Sequence, residues 1–303
     1  GFDEPLKPNN TQIKQQTTYG SADIQPMQVG NATLFLQRAK RKLRELVFSN
    51  ESDSYVAPDM TILAEHITEG GITAFAYQQE PDSVAWTVRS DGVLSCMTYR
   101  REEQVVAWHR HIIGGVFGSG NAVVESVAVI PGDLDEDEVY LIVKRTIGGA
   151  TKRYVERMSG FDFGSDVTDA FFVDSGLTYS GSAATTISGL DHLEGQTVSV
   201  LADGSVHPNV TVSSGAVTLQ RSVTKAHIGL PFTSKVETLR VDGGSALGSS
   251  QGKVKRISEV TVRLFRSVGL KVGTSTSELD VVPFRDSGDA MDTATPLFTG
   301  DKT

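Results

Sequence analysis

Between Ile72 and Ile113 the chain reads ITAFAYQQEPDSVAWTVRSDGVLSCMTYRREEQVVAWHRHII. Four runs of alternating apolar and polar positions are separated by turn signals at Gln78–Asp82, Ser90–Gly92 and Arg100–Glu103. In the second run Val84, Trp86 and Val88 share one face, and Ala85, Thr87 and Arg89 share the other. This period of two predicts half-buried strands. Asp91-Gly92 predicts a hairpin, because glycine readily takes the positive φ such a turn needs. Four short antiparallel strands over 42 residues match the size of one β-propeller blade. The pattern points to a scaffold rather than to a reaction centre.

The same pattern extends outward. Thr33–Arg38 and Leu43–Phe48 predict a hairpin around Ala39–Lys42. A helix over LFLQRAKRKLREL is the competing reading, set aside because Leu34/Leu36 and Leu43/Val47 alternate. Pro58–His66 predicts a short helix with Ile62, Leu63 and His66 on one face. Val123–Ile130, Glu138–Ile147 and Thr151–Met158 predict three strands of a second blade, with Gly148-Gly149 as a turn. From Phe161 the composition shifts to Gly, Ser and Thr. Strands expected at Gln196–Ala202, Asn209–Val212, Ala216–Leu219 and Lys225–Gly229 suggest a small β-barrel or sandwich of roughly 70 residues. Gly243–Gly252 reads as a flexible stretch, and Lys255–Ser267 as one long strand with Val260, Val262 and Leu264 facing one way.

The expected fold is therefore all-β: propeller blades over 30–160, an inserted small β-domain over 161–252, and a return to the propeller over 253–303. An irregular lead-in occupies 1–29. A complete propeller needs at least four blades. Parts of three are visible, so the chain is expected to stop within a domain.

Composition narrows the function classes. At 303 residues with 39% hydrophobic content and 30 glycines, the chain can bury a sizeable core of β type. The apolar runs fall far short of the roughly 20 residues a membrane helix needs, so no membrane span is expected. No secretory signal is visible at the start. The single cysteine, Cys96, excludes an internal disulfide and reads as a packed core thiol made in a reducing compartment. The net charge of −9 makes a tight nucleic-acid clamp a poor expectation, because phosphate neutralisation supplies most of such affinity. The acidity suits a conduit that repels DNA, or solubility alone.

Candidate chemistry is sparse. His109 and His111 share a strand face and offer two metal ligands, but His66, His192, His207 and His227 lie in separate segments and supply no third. A polar outer face is the preferred reading. Asp133, Asp135 and Asp137, with Glu136 and Glu138, copy the first half of a calcium-binding loop. Glu138 stands where the loop needs glycine and Lys144 where it needs glutamate, so a solvated hairpin tip is preferred. Lys40, Arg41, Lys42 and Arg44, joined by Arg38, form the main basic cluster. They read as a charged tip that blocks edge pairing or as a contact to phosphates or a neighbouring subunit. Lys253, Lys255 and Arg256 form a smaller cluster with the same two readings, and Arg100–Glu103 suggests only a solvated turn. Gly114–Gly120 is glycine-rich but opens no helix, so it reads as a flexible surface loop rather than a phosphate cradle. Asp191 and Glu194 are not placed across a cleft. Nucleophile elbows, P-loops, H-E-x-x-H and C-x-x-C are absent. No catalytic, cofactor-binding or metal residue is assigned, and no cofactor is expected.

Particular phrases carry a family resemblance. EPDSVAWTVRSDGVLSCMTYRREEQVVAWHRH, ESVAVIPG and DEVYLIVKRTIGGATKRYVERM resemble the tail nozzle proteins of short-tailed bacteriophages (tail tubular protein B type). VGNATLFLQRAKRKLREL, LDHLEGQTVSVLADG, VHPNVTVSSGAVTL and HIGLPFTSKVETL look similar too, and this second set resembles in part the FCCH domain of ubiquitin-activating enzymes. The FCCH-like piece lacks cysteine, so no thioester chemistry is implied. The resemblance spans about Gly30 to Asp301. It implies a non-enzymatic virion protein, assembled in the bacterial host cytoplasm and located in the tail. It also implies a ring of six copies that meets adaptor and tail-fibre proteins, retains double-stranded DNA and then passes it. The loop tips to test for subunit or DNA contact are Lys40, Arg41, Lys42, Gly114, Gly118, Asp133, Asp135 and Asp137. Two other classes stay open. One is a receptor- or carbohydrate-binding adhesin using Phe161, Phe163, Phe171, Phe172 and Tyr179. The other is a propeller-type glycoside hydrolase, which needs carboxylates converging from different blades.

Overall fold

The structure, a computed structural model, describes residues 5, 7–8, 15–132, 136–240, 242 and 248–303. With 52% of residues in strands and 2% in helix, the protein is all-β, built from several small antiparallel sheets. The chain divides into two compact units, one of residues 1–146 and 150–158 and one of 147–149 and 159–303.

The first unit is a succession of up-and-down sheets. Strands β1 (Met27–Val29), β2 (Ala32–Leu36), β3 (Leu43–Ser49) and β4 (Ser54–Val56) pair in chain order. The expected hairpin over 33–48 is present, and the helix reading fails. The lead-in is shorter than expected, because Met27–Val29 pairs with β2 and Ser21 bridges Gln37. Strands β5 (Ile72–Gln78), β6 (Val84–Arg89), β7 (Leu94–Arg100) and β8 (Val105–His111) form the second sheet, again in chain order. Its Ser90–Gly92 turn closes with Gly92 donating to the Arg89 carbonyl (2.9 Å) and Gly92 at φ +82°. That is a type I turn ending in a left-handed residue, a standard three-residue hairpin loop. Only glycine fits here, since a Cβ would stand 2.4 Å from Val123.

After a small hairpin of β9 (Val116–Phe117) and β10 (Gly120–Asn121), β11 (Val123–Pro131), β12 (Asp137–Ile147) and β13 (Ala150–Arg157) form a three-stranded sheet. Gly148 and Gly149 both take positive φ, as the expected turn requires.

The central strands of the second sheet, β6 and β7, are buried on both faces, which corrects the half-buried reading. Phe75, Ala85, Met97 and Tyr99 pack with Leu34, Leu36 and Leu43 of the first sheet. Trp86, Val88, Leu94 and Cys96 pack with Val124, Val127, Leu141 and Val143 of the third. Five consecutive residues of β6, Val84–Val88, are buried. Thr87 can be inside because its hydroxyl bonds the Ser95 hydroxyl (2.7 Å) and carbonyl (2.9 Å) on β7, so neither polar group loses its partners on leaving water.

The expected helix at 58–66 is not formed. The segment makes successive single turns, with Ala64 donating to Thr61 and Ile67 to Ala64. The proposed apolar face is turned outward: Leu63 is 92% exposed, while Thr61, Ala64 and Ile67 are buried. Asp59 explains the difference. Its carboxylate accepts from the Thr61 amide and hydroxyl and from Lys42, and its backbone bridges Arg44. This ties the segment to β3 rather than to a helix of its own.

In the second unit, β14 (Asp174–Ser188), β15 (Thr197–Ala202), β16 (Ser205–Thr211) and β17 (Ala216–Leu230) form a sheet in the order β14-β17-β15-β16. The runs expected at 216–219 and 225–229 are one continuous strand. Its core comprises Ile187, Leu190, Leu193, Val198, Val200, Val217, Leu219 and Ile228 among others. The remainder, 253–303, belongs to this unit and holds two ribbons. One pairs β18 (Val262–Ser267) with β21 (Phe298–Lys302), and the other pairs β19 (Leu270–Ser275) with β20 (Glu278–Val282). The long strand expected from Lys255 begins only at Val262. Among the described residues no helix is long and apolar enough to cross a membrane.

Candidate functional site

The basic cluster at the β2–β3 turn splits into two classes. Arg44 is buried, donating to the Gln37 side chain (2.8 Å) and the Ala57 carbonyl (2.6 Å) beneath the Tyr19 ring. Lys42 bridges Asp59 (2.9 Å) and Glu65 (3.3 Å), which raises its pKa. Arg38, Lys40 and Arg41 stay exposed. Lys40 sits at the tip with φ +62°, and its backbone carbonyl accepts from Ile72. The tip thus offers three outward cations on a backbone anchored to the second sheet.

Gly114–Gly120 takes regular structure where a loop was expected. It contains the β9–β10 hairpin, with Gly118 at φ +59° near its tip and its amide donating to the Thr146 hydroxyl (3.0 Å). The Gly114 carbonyl accepts from Arg145 Nε (2.8 Å). Arg145 is fully buried, and its guanidinium also grips both carboxylate oxygens of Glu156. A buried fork of this kind is structural, since both charges are spent on each other.

Of the acidic loop, Asp133 and Asp135 lie outside the described residues. Asp137 is not a free ligand: its carboxylate accepts from the Gln79 (2.6 Å) and Glu80 (3.1 Å) amides and holds the β5–β6 turn. Glu138 pairs with Arg157 and accepts from the Tyr140 hydroxyl. The Arg100–Glu103 turn also does more than face solvent, because Arg101 reaches buried Glu45 (2.5 Å) on β3. Of Asp191 and Glu194, the second is engaged within the fold. Glu194 accepts from the Ser214 and Gly215 amides and fixes that turn.

Among the described residues, the carboxyl groups displaced in acidity move down. Glu125, between Arg153 and Lys144, falls to about 2, and Glu138 and Asp91 are lowered by hydrogen bonds and charge.

The one clustering of potential ligands lies on the second sheet. Cys96 is opposite His109 in the β7–β8 register, and His111 points to the same face. Cys96 Sγ and one ring nitrogen of each histidine lie within 4.8 Å of one another, and no other group of this kind occurs among the described residues. Burial pushes the Cys96 thiol well above its ordinary value, so the protonated form is favoured in the empty site. Burial, then the charge of His109, pushes His111 down to about 4, so its imidazole is neutral at pH 7. Sequence reasoning found both histidines and missed the third member. The signal was available: Arg100 and Val105 close the β7–β8 turn, and stepping back along one strand and forward along the other brings Cys96 to His109.

In the second unit Phe161, Phe163 and Phe172 meet edge to face (6.5 and 5.7 Å), with Phe161 86% exposed. Phe171 instead packs on His227 (5.3 Å). Among known proteins, no family model and no curated relative matches the chain.

Proposed function

We propose that the protein is a structural subunit of a phage tail nozzle: a ring, of six copies by the resemblance, that retains and then conducts genomic DNA. The observation that carries this is where the resembling phrases fall. EPDSVAWTVRSDGVLSCMTYRREEQVVAWHRH runs from the β5–β6 turn through β8, and DEVYLIVKRTIGGATKRYVERM covers β12 and β13. In this reading the three up-and-down sheets of the first unit are propeller blades. The exposed apolar side chains Ile62, Leu63 and Val106 of the first unit, and Phe265, Leu279 and Val281 of the second, then serve as contacts between copies. The net acidity suits a channel wall that does not hold DNA. Light scattering and negative-stain imaging of the full chain test the proposal. Closed rings with a central pore are the expected result. A strictly monomeric chain at high concentration contradicts it.

The exposed Phe161–Phe163–Phe172 cluster favours a second reading, a carbohydrate-binding adhesin, because sugar rings stack on exposed aromatic faces. Glycan binding lost in Phe161→Ala and Phe172→Ala supports it. Absence of binding across a glycan panel rejects it.

A further inference from the structure

Two adjacent strands of the second sheet deliver three soft or borderline ligands to one face without help from a loop. Cys96 projects from β7, and His109 and His111 project from β8. Their donor atoms already stand within 4.8 Å of one another. A tetrahedral zinc ion holds sulfur at about 2.3 Å and imidazole nitrogen at about 2.0–2.1 Å. Ligand atoms in such a site are therefore roughly 3.3–3.7 Å apart. Closing the cluster needs movements of the order of 1 Å, within reach of small side-chain rotations of exposed His109. A second observation points the same way. His111 Nε2 is buried and has no hydrogen-bond partner, which is unfavourable unless something bonds to it. The surroundings are closely packed: Cys96 is fully buried in the core shared with the third sheet, and the Trp86 ring lies 5.6 Å from that of His111.

We propose that Cys96, His109 and His111 bind one zinc-type ion, with water as the fourth ligand on the solvent side of His109. A sulfur and two imidazoles select a borderline or soft ion over magnesium or calcium, which take oxygen ligands. As the metal–sulfur bond forms, the Cys96 thiol proton passes to solvent, and both imidazoles donate through nitrogen lone pairs without losing a proton. The site ties the edge strand β8 to β7 through side chains as well as through the backbone ladder.

The test uses the full, tag-free, reduced chain. Co²⁺ is titrated in as a spectroscopic stand-in, and Zn²⁺ binding is followed by calorimetry and thermal unfolding. The expected result is one ion per chain, a thiolate-to-cobalt charge-transfer absorption that Zn²⁺ removes, and a higher unfolding temperature. Cys96→Ser should abolish that absorption. Because burial makes Cys96→Ser a folding risk, His109→Ala is the companion variant. Its ring is exposed, its far-UV circular dichroism should be unchanged, and its Zn²⁺ affinity should fall by about 10-fold or more. Three results would overturn the proposal: no stoichiometric binding by the parent chain, a bound-Co²⁺ spectrum without thiolate absorption, or parent affinity in a folded His109→Ala variant.

Discussion

Strands β6 and β18 carry comparable patterns and meet different fates. In β6, VAWTVR, apolar residues alternate and five of six positions are buried. In β18, VRLFRS, Val262 and Leu264 also alternate with Arg263, yet no residue is buried and Phe265 is 69% exposed. The difference lies in the neighbours. β6 sits between β5 and β7, with the first sheet over one face and the third over the other. β18 has a single partner, β21, and no residue between 253 and 303 is buried. Alternation is enough to specify a strand, but burial depends on whether another layer arrives to cover it.

The contrast can be attacked in order of expected effect. Arg145→Ala should cost the first unit about 3–5 kcal/mol, because Glu156 would be left without its partner. Denaturant unfolding can follow it through Trp86 and Trp108, the two tryptophans of the chain, both on the second sheet. A loss below about 1 kcal/mol would mean that the buried pair is relieved by solvent. Leu94→Ala, in the doubly covered sheet, should cost about 2–5 kcal/mol, whereas Val281→Ala in the ribbons should stay within about 0.5 kcal/mol. Comparable losses in the two would break the comparison. Gly92→Ala should cost about 1–3 kcal/mol through its left-handed backbone, with the approach to Val123 adding to it.

The smallest effect concerns pH. Glu125 is held between Arg153 and Lys144 at about 2, below its usual 4.5. Its folded-state value is depressed, so the stabilisation is complete above pH 4.5 and is lost as pH falls toward 2. Glu125→Gln should flatten that part of the stability curve. An unchanged acid limb would show that the pair is screened.

Much of the first unit was legible because its signals are local. Alternation located β5–β8 and β11–β13, and Gly92, Gly148 and Gly149 marked their turns. What failed was set by tertiary partners. β14 reads DSGLTYSGSAATTIS, with too few apolar residues for a period-two signal, and it is a strand because β17 pairs along its length. The turns at 58–67 replaced a helix because Asp59 reaches Lys42 and also accepts from the Thr61 amide two residues on. The doubled burial of β6 was hidden in Thr87 and Ser95, which look solvent-facing but satisfy each other. Of the site, His109 and His111 were visible as a pair, and Cys96 joined them only through the register of β7 and β8.

Hydrogen exchange on the intact chain, read by mass spectrometry over proteolytic segments, tests the central contrast most directly. Segments covering 84–100 should be the slowest to exchange, with protection approaching that of global unfolding, and segments covering 253–303 should exchange orders of magnitude faster. Equal protection in the two regions would contradict the account, because it would mean that the ribbons possess a cover equivalent to the one the second sheet receives from its neighbours.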